Sequence, residues 1–219
     1  MMKTLFAALA LSALSPAWAQ SPSYARMVVI APKPGQAEAF EKGYERHLQW
    51  HKGAQDPWTW YGWTFVLGNR INRFMDGTFG HAAADFDAAV QPAADAADNN
   101  VNVAPYADFV SHGIYQRMDT MSAGEPLPDA SPFLSLTTYH IRPGQEAAFE
   151  QAVAHARGAA RQTWYRLQVG GEAPQYVLMR AVPSFGAAAT LGTPYTLSGL
   201  VDRVDNELLR YRANLGYRP

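Results

Sequence analysis

The chain has 219 residues, 48% hydrophobic, 17% charged and 12% aromatic, with 18 lysines and arginines against 19 aspartates and glutamates. That near-neutral balance excludes a general nucleic-acid binder, which needs a basic surface to displace counterions. The absence of cysteine excludes disulfides, thiolate metal sites, iron–sulfur clusters and thiol nucleophiles together.

Residues 1–19, MMKTLFAALALSALSPAWA, place Lys3 ahead of an apolar run from Leu5 to Leu14 and end on Ala17-Trp18-Ala19. This is the order of regions in a secretory signal peptide, with cleavage expected after Ala19. The apolar run is about ten residues long, short of the roughly 20 that a bilayer-spanning helix requires. No later stretch is apolar enough to span a membrane. The product is therefore expected to be soluble and exported, either periplasmic or extracellular.

Beyond the leader, Met27–Ile30 reads as a strand and Pro34-Gly35 as a turn. A helix follows, with Ala37, Phe40, Tyr44, Leu48 and His51 on one face. Trp58–Leu67 and Arg70–Met75 read as strands joined at Gly68-Asn69. The alanine-rich stretch Thr78–Ala97 reads as a helix and Asp108–Met118 as a strand. Residues 123–132, with three prolines and one glycine, make a linker.

The same order then returns. It runs through strand Phe133–Ile141, turn Pro143-Gly144 and a helix carrying Phe149, Ala152, Val153, Ala156 and Ala160 on one face. Strands Thr163–Val169 and Gln175–Val182 flank Gly170-Gly171. A helix from Ser184 to about Val204 and a strand from about Glu207 to Tyr217 complete it. Three segments recur almost literally. Lys33-Pro34-Gly35-Gln36-Ala37-Glu38-Ala39-Phe40-Glu41 matches Arg142-Pro143-Gly144-Gln145-Glu146-Ala147-Ala148-Phe149-Glu150, 109 residues later. Thr59-Trp60-Tyr61 is echoed by Thr163-Trp164-Tyr165, and Phe79-Gly80 by Phe185-Gly186.

Two β-α-β-β-α-β units predict an α+β fold of tandem ferredoxin-like repeats, residues 20–122 and 133–219. One repeat alone would leave a sheet face bare. Two can pack their antiparallel sheets together within the chain, so a homodimer is not required for folding.

At Pro-Gly-Gln-x-x-x-Phe-Glu the chain resembles the dimeric α+β barrel superfamily. Its tandem arrangement looks like the NIPSNAP-like and antibiotic-biosynthesis-monooxygenase-like branches. The resemblance implies a ligand pocket between the sheet and helices of one copy. It also implies a range of activities that includes cofactor-free monooxygenases, haem enzymes and isomerases. The matched residues build a strand, a turn and a helix and do no chemistry, and fold alone leaves function open.

Candidate chemistry concentrates in the first half. His47 and His51 are four apart on the first helix, so their rings share a face and could share a metal ion, given a third or fourth ligand. Glu41, Glu45 and His81 are possible additions, and the same histidines are the candidate catalytic groups. Trp50, Trp58, Trp60, Tyr61, Trp63 and Phe65 crowd the following segment. Alternation on a strand puts Trp58 and Trp60 on one side and Tyr61, Trp63 and Phe65 on the other. Tyr44, His47, His51, Trp60, Tyr61 and Trp63 form the candidate ligand-binding set, for a small apolar or aromatic molecule. No cofactor is expected, while a metal or haem stays open. The alternatives are an enzyme using His47 and His51, and a protein-interaction module. The arginine- and tyrosine-rich end, Arg210–Arg218, reads as a solvated edge strand. There is no GxSxG elbow, phosphate-cradling glycine loop or HExxH helix.

Overall fold

A computed structural model describes residues 23–192, 195 and 197–219; the expected signal peptide, 1–19, lies outside them. The first half contains strand β1 (Tyr24–Pro32), helix α1 (Ala37–Gly53), strands β2 (Tyr61–Leu67) and β3 (Phe74–His81), helix α2 (Pro92–Asn102) and strand β4 (Ala107–Arg117). The second contains β5 (Phe133–Ile141), α3 (Glu146–Ala156), β6 (Thr163–Val169), β7 (Gln175–Val182), α4 (Phe185–Ala189) and β8 (Val201–Tyr211). Short 3-10 helices occupy Ala83–Ala88 and Ala213–Leu215.

The eight strands form one closed antiparallel ring in the order β1-β3-β2-β8-β5-β7-β6-β4. Each half contributes four consecutive strands. The halves join edge to edge, β2 to β8 and β4 to β6, so the ring has no free edge. The expected α+β architecture of two ferredoxin-like halves is what the chain adopts. Strand alternation divides the core into three parts. Met27, Val29, Trp63, Phe65, Met75, Leu136 and Met179 fill the ring. Phe40, Tyr44, Leu48 and Phe74 pack beneath the first-half helices. Tyr139, Phe149, Trp164 and Tyr176 pack beneath α3.

The internal duplication is visible in the register. β1 and β5 lie 109 residues apart from end to end. Val28 pairs with Asp76, as Thr137 pairs with Leu178. Each Pro-Gly turn places its glycine at positive φ, 73° at Gly35 and 83° at Gly144, a region that favours glycine. The Thr-Trp-Tyr echo is two residues out of register, because Tyr61 pairs with Gly77 as Thr163 pairs with Met179. A two-residue slip preserves the strand face, so Trp60 and Trp164 both face helices. The Phe-Gly echo is not structural: Phe79-Gly80 lies in β3 and Phe185-Gly186 in α4.

Several boundaries differ from expectation. The link after β2 is not a two-residue turn. Arg70–Arg73 are used in a loop closed by Arg73 N–H donating to Arg70 O (3.0 Å), and β3 runs later, over Phe74–His81. The helix expected over Thr78–Ala97 is split by this strand, and α2 starts only at Pro92. The final helix is short, and β8 begins at Val201 rather than near Glu207. Its charges are accommodated by partners in neighbouring elements. Arg142 Nε donates to Asp202 (2.9 Å), and Arg70 donates to the buried Glu207 through its backbone N–H (3.0 Å) and Nε (2.8 Å). The C-terminal arginines therefore do not guard an edge. After β8 the chain crosses the first half, where Arg212 clamps Glu41 with two 2.7 Å bonds.

Candidate metal centre

Helix α1 buries Phe40, Tyr44, His47, Leu48 and His51 at three- and four-residue steps. Its inner face therefore carries both histidines against the sheet. His47 Nδ1 lies 2.8 Å from Asp98 Oδ1, and His51 Nδ1 lies 2.8 Å from Asp56 Oδ2. An ionised carboxylate can only accept, so both Nδ1 atoms donate, and the tautomer this selects leaves the Nε2 lone pair to bind a metal. Both Nε2 atoms point toward Asp95 Oδ1, at 3.3 Å from His47 and 3.8 Å from His51. That oxygen is buried and has no hydrogen-bond partner among the described residues.

His47, His51 and Asp95 thus present three ligand atoms within 4.8 Å of one another. A slight inward adjustment would bring them to the roughly 2.0–2.2 Å radius of a divalent transition metal. Carboxylates behind both imidazoles are the usual outer-shell arrangement of metal-binding histidines, fixing tautomer and ring orientation. Asp56 is itself fixed by Trp58 N–H and Trp60 Nε1–H, both at 2.9 Å. Burial alone would raise the Asp56 pKa, but the bonds from His51, Trp58 and Trp60 outweigh it and hold the carboxyl below its ordinary range. Desolvation lowers the His47 pKa, partly opposed by Asp98, and this favours the neutral imidazole that a metal needs.

A second polar group adjoins this one. Tyr44 Oη donates to Asp76 Oδ2 at 2.9 Å, while Asp76 Oδ1 and Arg26 Nε are buried without partners among the described residues. Arg26 stacks over the Trp60 ring at 5.1 Å. Burial pushes the Asp76 carboxyl up to about 6, against the pull of Arg26 and Tyr44.

Of the residues singled out from sequence, Tyr44, His47, His51 and Trp60 come together in this layer. Tyr61 and Trp63 lie inside the ring, on the opposite face of β2. The three additions considered for a metal are occupied elsewhere. Glu41 binds Arg212, Glu45 accepts from Asn214 Nδ2 (2.8 Å), and His81 Nε2 meets Thr78 Oγ1 (2.6 Å). Sequence reasoning missed Asp56, Asp95 and Asp98. One signal for them existed: Pro92 suits the first position of a helix, which would set Asp95 and Asp98 on one face of a new helix.

Neither a family model nor a curated protein matches the sequence. Solved structures share the fold over nearly the whole chain. A protein from Fusobacterium nucleatum provisionally assigned as a monooxygenase superposes with a TM-score of 0.59 at 9% identity, covering 91% of this chain and 99% of that one. A chlorite dismutase variant from Candidatus Nitrospira defluvii gives 0.56 at 6% identity, covering 88% and 92%. An anthrone oxidase-like protein gives 0.53 at 13% identity, covering 89% and 92%. The shared fold is the closed ring of eight antiparallel strands with helices outside it. At such identities the likeness defines architecture and leaves chemistry to this chain's own residues. No helix among the described residues is long and apolar enough to cross a membrane.

Proposed function

We propose that the chain is an exported metalloprotein that holds one divalent transition metal between His47, His51 and Asp95. The observation that carries this reading is the convergence of two carboxylate-backed Nε2 atoms on an unpartnered buried carboxylate oxygen. A metal supplies the positive charge that this group of lone pairs lacks. Three protein ligands leave coordination positions for water or substrate, which distinguishes catalytic from closed structural sites. We read the protein as an enzyme on that basis, with a small organic substrate. Membership of a fold that includes proteins named as monooxygenases and oxidases supports the reading.

The other reading is a small apolar ligand among Tyr44, His47, His51, Trp60, Tyr61 and Trp63, of which Tyr61 and Trp63 lie on the opposite face of β2. The rings of Tyr44, His47, His51 and Trp60 already pack one against the next, with centroids 6.2, 4.8 and 5.3 Å apart in that order. The aromatic density here is better read as packing around a polar centre.

The test is titration of the metal-free protein with Co(II), followed by its visible d–d bands and by metal content after gel filtration. One equivalent is expected. His51→Ala should abolish the bands, and Asp56→Asn should weaken binding about 10- to 100-fold by releasing the His51 ring. An absence of saturable binding to the folded wild-type protein would overturn the reading.

A further inference from the structure

The second half carries an opposite kind of unpaired polar group in the corresponding layer. Strand register places Trp164 and Thr137 on either side of Leu178, and pairs Tyr139 with Tyr176 and Ser135 with Arg180. Tyr139, Trp164 and Arg180 therefore surround Leu178 on the helix-facing side of the sheet. Tyr139 and Trp164 are fully buried. The Tyr139 hydroxyl, Trp164 Nε1 and Arg180 Nε are all buried, and none of the three donates to an acceptor among the described residues. Nε1–H and Nε–H can only donate, and the hydroxyl can donate as well.

Arg180 strengthens the case. Its Nη atoms donate to Leu191 O (3.2 Å) and Gly192 O (3.1 Å), which positions the guanidinium but leaves its charge unanswered. No carboxylate pairs with it among the described residues, and residues 1–22, 193, 194 and 196 contain no acid that could. Burial dominates at Tyr139 and pushes its pKa to about 12, while the Tyr195 backbone N–H and the Arg180 charge act on it in the opposite direction. The hydroxyl thus remains a donor at neutral pH. A partly buried cation beside two unused donors matches an anionic oxygen, since such groups are costly when left unpaired.

Arg180 does not itself line the apolar groove of about 250 Å³ between α4 and the outer face of β5 and β8, but two residues that adjoin Arg180 do. The groove is lined by Phe185, Ala188, Leu191 and Leu208. Leu191 is a residue whose carbonyl Arg180 holds, and Ser135, also in the lining, is the register partner of Arg180. We propose that the second half binds a small organic acid, with its apolar body in this groove and its carboxylate against Arg180, Tyr139 and Trp164. This site is independent of the metal centre and stands or falls separately from it.

The experiment is calorimetric titration of metal-free protein, in which a carboxylate cannot bind through an ion, with naphthoate and octanoate. Naphthylmethanol and octanol serve as uncharged counterparts. The acids are expected to saturate at one site and bind about ten-fold or more tightly than the alcohols. Arg180→Met should erase that preference. Should Arg180→Met fail to fold, Tyr139→Phe and Trp164→Phe keep the ring shapes and should each weaken the acids several-fold without affecting the alcohols. His51→Ala should bind the acids like wild type. Equal affinity for acids and alcohols, no binding of either, or acid binding insensitive to the folded variants would overturn the proposal.

Discussion

The two halves are built on one scaffold but fill it with opposite chemistry. In the first half the layer between helices and sheet contains Arg26, Tyr44, His47 and Asp76. The corresponding positions in the second, set by the shared register and the 109-residue offset, are Ser135, Val153, Ala156 and Leu178. The first layer ends with three unpaired acceptors, Asp76 Oδ1, Asp95 Oδ1 and Asn99 Oδ1, against one unpaired donor, Arg26 Nε; the second ends with donors on Tyr139, Trp164 and Arg180. Duplication doubles the backbone and the faces its strands present. It does not double the site, because a handful of side chains decides whether a layer attracts a cation or an anionic oxygen.

The largest effect should come from the second layer, which is held mainly by aromatic packing. Phe149 is fully buried, with ring centroids 4.9 Å from Tyr176 and 5.7 Å from both Tyr139 and Trp164. Phe149→Ala is expected to cost about 3–5 kcal/mol in urea unfolding while leaving Co(II) affinity unchanged. A loss of metal affinity equal to that of His51→Ala would show that the layers are not separable.

The first layer should instead reveal itself through pH. Asp76 is raised from 3.8 to about 6, so the folded state holds this proton more tightly than the unfolded chain. Its contribution is fully present below the unfolded pKa and is lost as pH rises through about 6. The difference of roughly two units corresponds to about 3 kcal/mol. Asp76→Asn cannot ionise, so between pH 4 and pH 7 the metal-free variant should gain up to about 3 kcal/mol relative to wild type. His47 acts in the opposite sense, since its lowered pKa removes stability as pH falls through 6.5. Both proteins contain His47, so its effect cancels in the difference. A difference that stays flat across this range would mean that Asp76 is not the buried acid described.

The repeat was legible because β-branched and aromatic runs, a Pro-Gly turn and an early helix Phe leave the same local marks twice. β5, β6 and β7 run over the residues that alternation predicts. β8 was hidden because its N-terminal part is charged: Asp202 and Arg203 stay exposed on the strand, while Glu207 is buried only because Arg70 of the first half meets it. The candidate metal centre was half legible. His47 and His51 lie on one helix, where spacing alone puts them together. Asp95 and Asp98 come from α2, and placing them required starting that helix at Pro92 rather than running it through β3. Asp56 approaches only because the chain folds back after α1. Spacing reports neighbours within an element and is silent about those that packing brings in.

The smallest effect concerns what covers each layer. Gly62 and Trp164 occupy corresponding positions, since Gly62 pairs with Asp76 as Trp164 pairs with Leu178. In the second half the indole fills the space. In the first the C-terminal segment does so, and a Cβ at Gly62 would lie 2.1 Å from Leu215 O. That segment is anchored by reciprocal backbone bonds between Trp60 and Tyr217, 2.9 and 2.8 Å, and by Tyr217 Oη donating to Asp56 O at 2.9 Å. Gly62→Ala is therefore expected to cost about 1–3 kcal/mol through overpacking. The displaced strap should also loosen Asp56 and so weaken Co(II) binding several-fold, a coupling that a purely local clash would not produce. Loss of stability with unchanged metal affinity would separate the strap from the His51–Asp56 pair, leaving the centre to α1 and α2 alone.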